Sequence, residues 1–150
     1  MNTNAALLPQ VITRPRSSRD GNTKVSGLRP RLVVAHPDVA YVDAAQRHFR
    51  RLGWEVFTAT SGEEVRRLAG LLNPDAVILA TLLAGESGWL TCTKLLCDHS
   101  DLKVILVGAD RSASAHEFAA FVGAARLVSE VDGVAVLVEE AYDMALAAAG

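Results

Sequence analysis

Few side chains in this 150-residue chain are of types and spacings that could do chemistry together. Asp98, His99 and Asp101 are metal-ligating types crowded into four positions, but a helix end followed by a turn accounts for the same cluster. The only cysteines, Cys92 and Cys97, lie five residues apart. On one helix that spacing separates them by about 140°, so they read as reduced thiols rather than as a disulfide or metal ligands. His48 and His116 fall on surface positions of helices. No Gly-rich phosphate loop and no pair of catalytic carboxylates is present. In an open α/β sheet, reactive groups gather beyond the carboxyl ends of the strands. The most apolar strand of this chain, within Asp75–Thr81, ends there on Ala80-Thr81, without a strong nucleophile. Asp75 stands at the opposite end, about 17 Å away, and Thr81 points to the other sheet face from Ala80.

The elements that must position these residues follow from pattern. Val77-Ile78-Leu79 is apolar without alternation, as in a strand of a parallel sheet covered on both faces. Leu32–Ala35, Trp54–Ala59, Leu102–Val107 and Arg126–Ser129 read as further strands. Asp38 caps a helix to Leu52 with an apolar stripe Val42, Ala45, Phe49 and Leu52, and Gly53 ends it. Ser61 and Glu64 have capping-box spacing ahead of a stripe Val65, Leu68, Ala69 and Leu72. Helices are also expected over Ser87–Asp98, Ser112–Val122 and Asp132–Ala149. Five βα units in a row, joined by right-handed crossovers, make a doubly wound parallel sheet. The flavodoxin-like strand order 2-1-3-4-5 is the natural choice, and the fold class is α/β.

A chain this long suits one domain, and half of its residues are hydrophobic. No apolar run approaches the ~18 residues of a membrane span, and Pro9 and Gln10 break the run from Ala5 to Ile12, which argues against a secretory signal. Residues 1–30 carry Arg14, Arg16, Arg19, Lys24 and Arg29 against Asp20, a net +4, whereas the remainder is −6. Residues 1–30 therefore read as a disordered basic tail, either a solvated leader or an arm for an acidic partner or nucleic acid, and 31–150 as the folded domain.

Several motifs in the folded part resemble the receiver domain of response regulators. Pro74-Asp75 followed by the loop Gly85-Glu86-Ser87-Gly88 looks like that family's third strand and loop. Gly53-Trp54-Glu55-Val56, Thr60-Ser61-Gly62-Glu63-Glu64 and Gly123-Ala124-Ala125-Arg126-Leu127 look like its strand-two entry, its following turn and its strand-five approach. The resemblance covers residues 31–149 and implies the same fold. It also implies where phosphoryl chemistry would sit, and this sequence departs at each place. Ala80 holds the phosphoacceptor position, and His36 occupies an acidic Mg²⁺-ligand slot, with Asp38 nearby but already explained as a helix cap. Gly108 stands for the hydroxyl of strand four, Glu130 for the lysine of strand five, Val131 for the proline after it, and Leu127 for the switch aromatic.

The resemblance and the departures together imply a pseudo-receiver: a phosphorylation-independent protein–protein interaction module of signal transduction, not an enzyme. No cofactor, no metal, no nucleic acid and no membrane is expected, and the location implied is cytoplasmic. The partner is a signalling protein or a second copy, met through the face of the fourth helix, fifth strand and fifth helix. Ala115, Phe118, Ala119 and Val122 are expected to point inward, as are Val134, Leu137, Val138, Ala141, Ala145 and Ala148, which leaves Phe121 and Val136 without an intramolecular home. Phe121, Leu127 and Val136 are the candidate contact residues. The rival reading is an enzyme or small-ligand binder using the crevice around His36, Glu86, Gly108 and Glu130. A cleft with a buried His36 beside Glu130 favours the rival, and a filled site favours the module.

Overall fold

Apolar runs without alternation become strands covered on both faces. The computed structural model describes residues 29–140 and 143. Its strands are β1 (Arg31–Ala35), β2 (Glu55–Ala59), β3 (Ala76–Ala80), β4 (Lys103–Gly108) and β5 (Arg126–Ser129). They alternate with α1 (Val39–Arg51), α2 (Gly62–Leu72), α3 (Gly88–Asp98) and α4 (Ala113–Phe121), and a fifth helix, α5, covers residues 135–140. All five strands form one parallel sheet in the order β2-β1-β3-β4-β5, the flavodoxin-like order expected.

Successive strand residues alternate between two cores. Leu32, Val34, Ile78, Ile105 and Val107 pack with Tyr41, Ala45 and Phe49 of α1 and with Leu137. Val33, Val77, Leu79, Val104 and Leu106 pack with Val65, Ala69, Cys92, Leu95 and Ala119, from α2, α3 and α4. Every residue of β3 is buried, which is why its sequence does not alternate. The amino end of the sheet is fixed by Arg31. Its backbone N–H donates to Asp75 Oδ2 (2.9 Å), its Nη1 donates to the Leu72 carbonyl (2.8 Å), and its Nε pairs with Glu55 (3.1 Å). Asp75 is thus a clasp between strands, remote from the carboxyl ends.

The caps follow the sequence. Asp38 accepts from Ala40 N, Ser61 from Glu64 N, Ser87 from Leu90 N and Ser112 from Ala115 N. Glu64 reaches back to Thr60 N (2.8 Å), one residue beyond the usual partner in a capping box. Gly53 takes the left-handed conformation (φ 93°) that ends α1.

Four expectations need correction. Leu52 is exposed, because α1 ends there and Trp54 takes the space against Phe49, edge to face at 5.5 Å. Tyr41 joins Ala45 and Phe49 in the buried stripe instead. Phe118 is not inward: only Ala115 and Ala119 of α4 are buried, and these small residues leave the ring at the edge, on Trp89. Val136 is not without a home, since it packs against the core beneath α1 and α5. The last helix does not begin at Asp132. Glu130–Asp132 is a 3-10 turn closed by Gly133 at φ 76°, and helix resumes after it. Residues 1–28 of the expected tail and the positions Ala141, Ala145 and Ala148 lie outside the described residues. Among the described residues, no helix is long and apolar enough to cross a membrane.

Candidate functional site

The carboxyl ends of β1, β3, β4 and β5 bring together His36, Ala80, Gly108 and Glu130, with Asp38 at the start of α1. Ala80 is 4% exposed and presents only a methyl group. Thr81 N donates to the Val107 carbonyl (2.9 Å), which continues the pairing one residue past β3. Its hydroxyl stands where Gly108 has no side chain: a Cβ on Gly108 would lie 2.7 Å from Thr81 Oγ1. Gly88 closes the loop after β3, donating from its N–H to the Thr81 carbonyl (2.8 Å), and a Cβ there would collide with the Ala80 carbonyl oxygen. The two loop glycines of the sequence motif therefore have different roles. Gly88 allows close backbone approach, and Gly85 takes a left-handed φ of 87°.

His36 is the centre of the site. Its side chain is 3% exposed and its ring stacks on Tyr41, with centroids 4.3 Å apart and planes 18° apart. Nδ1 accepts from the Asp38 backbone N–H (3.0 Å), so the hydrogen of the neutral ring sits on Nε2. Nε2 in turn donates to Glu130 Oε1 (3.0 Å), ninety-four residues away in sequence. The Tyr41 hydroxyl is buried and has no hydrogen-bond partner among the described residues. Burial, followed by the negative charge of Glu130, pushes its pKa well above the usual phenol range. Asp38 spends Oδ1 on the Ala40 N–H (3.0 Å), as a helix cap. Ser129 accepts from Val131 N (3.3 Å), which shapes the turn that carries Glu130.

The bond between His36 and Glu130 spans the site from β1 to β5, with two strands of the sheet between them. At the two positions where the resemblance implies an acidic ligand and a lysine, this chain has a hydrogen-bond donor and its acceptor. Val39, Leu82 and Val131 flank these residues in sequence, each more than 70% exposed. The carboxylates nearby are those of Asp38, whose Oδ1 caps α1, and Glu130, whose Oε1 accepts from His36. Among the described residues, no group of three His, Cys, Asp or Glu is placed to hold a metal ion. Asp98, His99 and Asp101 lie at the far end of α3, where the His99 N–H caps the Leu95 carbonyl and its own carbonyl accepts from Leu102.

Glu86 does not reach this site. It turns the other way, accepting from Thr91 Oγ1 (2.6 Å), Lys94 Nζ (3.0 Å) and Arg66 Nε (3.3 Å). Burial alone would raise its pKa, but the hydrogen bonds from Thr91, Lys94 and Arg66 outweigh it and bring the carboxyl down to about 2. The loop after β3 is therefore pinned to α2 and α3. Sequence reasoning missed this clasp, because Arg66 is twenty residues from Glu86 and no periodicity links them. Cys92 is buried and its thiol is pushed up to about 11 by that burial, whereas Cys97 is exposed. Of the candidate contact residues, Phe121 is 82% exposed, Leu127 is half-buried on the α2–α4 side and Val136 is half-buried on the other.

No family model matches the chain, and no curated protein does. Solved structures do match. A CheY-like response regulator receiver domain protein from Methanospirillum hungatei is 18% identical with a TM-score of 0.72, over 78% of this chain and 94% of that one. A LuxR-family two-component response regulator from Aurantimonas is 19% identical with a TM-score of 0.71, over 78% and 85%. The receiver domain of a Francisella response regulator is 18% identical with a TM-score of 0.70, over 75% and 93%. At such identities the likeness establishes the fold: this chain has the CheY-like receiver fold found in response regulators of signal transduction.

Proposed function

We propose that this chain is a pseudo-receiver, a phosphorylation-independent protein–protein interaction module of a signalling system. The hydrogen bond from His36 Nε2 to Glu130 Oε1 carries the reading. It fills the site with the protein's own side chains, and Ala80 beside it offers no carboxylate to accept a phosphoryl group. Val39, Leu82 and Val131, close in sequence to the site residues, are exposed aliphatic side chains of a kind that suits contact with protein better than contact with phosphate. On this reading the protein is cytoplasmic. It meets a signalling protein or a second copy through the face of α4, β5 and α5, with Phe121 as the exposed anchor and Leu127 and Val136 as its support.

The rival reading, a ligand-binding or enzymatic crevice, draws on the same buried His36 beside Glu130. Its ring nitrogens are both engaged and one ring face is stacked on Tyr41, so neither nitrogen is free for a substrate. Intact-protein mass spectrometry after incubation with a small phosphodonor and Mg²⁺ tests the proposal. The expected result is an unchanged mass, and a stoichiometric gain of one phosphoryl group refutes it.

A further inference from the structure

α1 ends in a run of cations that its surroundings leave unpaired. From Arg31 to Arg126 the chain has ten Lys and Arg residues. Arg31, Arg66, Arg67, Lys94 and Arg126 each form an ion pair with a glutamate. Of the other five, Arg47, Arg50 and Arg51 fall within five residues of α1, and all three are exposed. None of the three has an ion-pair partner among the described residues. Spacings of three and four residues put them on one face of the helix. Arg50 Nη2 donates to the Val56 carbonyl at 3.5 Å, the long limit of a hydrogen bond. The cluster therefore lies beside β2, an edge strand of the sheet.

The negative end of a helix dipole favours cations in the last turn, which accounts for part of the run. It does not account for Arg47, which precedes that turn. Nor does it account for the contrast with α2, α3 and α4, whose last turns carry no basic residue. The surrounding domain has the opposite sign: residues 31–150 carry 10 basic and 16 acidic residues, a net −6. The three arginines are thus a local positive patch on a negative body. A long polyanion such as a nucleic acid duplex runs past the patch and meets that body. α1 also offers no ring on which a base could stack, since Tyr41 and Phe49 are both buried. A short acidic segment feels chiefly the charges within a Debye length of about 8–10 Å, which here are the arginines. Their planar forks match carboxylates two bonds at a time. Leu52, next to Arg51, is half exposed and gives an aliphatic side chain of such a segment a contact.

We propose that Arg47, Arg50 and Arg51 form a docking surface for an Asp- and Glu-rich segment of a partner protein. α1 packs on one core of the sheet and α4 on the other, so this surface is separate from the one around Phe121. The proposal does not depend on how the His36–Glu130 site is read.

The probe is a fluorescein-labelled twelve-residue peptide, Glu-Glu-Ala-Leu repeated three times, with a control peptide that carries Gln for every Glu. Fluorescence anisotropy measures binding to the full-length protein at low salt, and amide chemical shifts of the ¹⁵N-labelled protein locate it. The expected result is binding of the glutamate peptide and not of the glutamine peptide, with shifts centred on residues 47–52. The full-length variant Arg47→Gln, Arg50→Gln, Arg51→Gln should bind about tenfold more weakly with an unchanged circular dichroism spectrum. The variant Arg14→Gln, Arg16→Gln, Arg19→Gln should differ from wild type by less than about twofold. Equal affinity of the α1 variant and wild type overturns the proposal, and so do shifts centred on residues 1–28 or on another face. Tighter binding of a twelve-base-pair DNA duplex than of the peptide also overturns it, and assigns the patch to nucleic acid. Should the α1 variant not fold, the shift map on the wild type decides alone.

Discussion

Replacing Glu86 by glutamine removes one charge from a clasp that ties the loop after β3 to two helices. The carboxylate accepts from Thr91, Lys94 and Arg66, and its side chain is 14% exposed. Burial raises its pKa, yet the three partners bring it from 4.5 to about 2. At 1.36 kcal/mol per unit, that depression corresponds to about 3 kcal/mol of folding free energy. Lys94 and Arg66 are partly solvated, so screening reduces the expected contribution to about 1–2 kcal/mol. The folded pKa lies below the unfolded one, so the contribution is complete above pH 4.5 and is lost as the pH falls toward 2. The amide of Glu86→Gln keeps the shape and one acceptor but not the charge. Thermal unfolding by circular dichroism at pH 7 should show a midpoint about 5–10 °C below wild type, and the gap should narrow at pH 3. Equal midpoints at pH 7, or a gap that stays as wide at pH 3, would refute the clasp as an electrostatic device.

The central site gives further expectations. His36→Phe keeps a ring against Tyr41 but leaves the Asp38 N–H and Glu130 without their partner, so it should cost about 1–3 kcal/mol in denaturant unfolding. Glu130→Gln retains an acceptor for Nε2 and should change stability by less than about 1 kcal/mol, which separates a hydrogen bond from a required ion pair. Ala80→Asp puts a carboxyl where only 4% of the residue is exposed, and should lower stability by about 2 kcal/mol or more at pH 7, less below pH 5 as the group protonates. Intact mass after phosphodonor treatment should still show no added phosphoryl group on this variant, and stoichiometric phosphorylation would mean that the cation and metal ligands are not needed here.

Local signals in the chain were strong where one residue decides a feature. Asp38, Ser61, Ser87 and Ser112 each cap the helix that their position announced, and Gly53 ends α1 as its spacing implied. The sheet order followed from five apolar runs, because covered parallel strands leave few other ways to bury both faces. Legibility failed where the answer depends on how deep a neighbour sits. Phe118 and Leu52 have helical spacing to buried residues, yet α4 buries only alanines and α1 stops at Arg51. Val136 could be placed only once the 3-10 turn at Glu130–Asp132 had reset the phase of α5. Arg66 as a partner of Glu86 was invisible for another reason, since it lies twenty residues away and no period encodes such a pair, whereas the nearness of His36 to Glu130, ninety-four residues apart, came only from the family resemblance.

The departures at the site make more physical sense as a set than one by one. Glu130 facing an acidic residue at position 36 would place two carboxylates together with no cation between them, which costs stability unless one protonates. His36 facing a lysine at position 130 would oppose two donors, and the ring would then have to surrender its Nδ1 bond to the Asp38 N–H or stay unpaired at Nε2. His36 with Glu130 satisfies both groups, and the ring lies flat on Tyr41 as it does so. The methyl of Ala80 adds no competing charge below them, and Thr81 occupies the volume that Gly108 vacates. An acidic residue at position 36 or a lysine at position 130, introduced alone, therefore breaks the existing pairing before it can create a new one. The His36–Glu130 bond thus ties the carboxyl end of β1 to the turn after β5 with the protein's own side chains, and the interaction module proposed above rests on that tie.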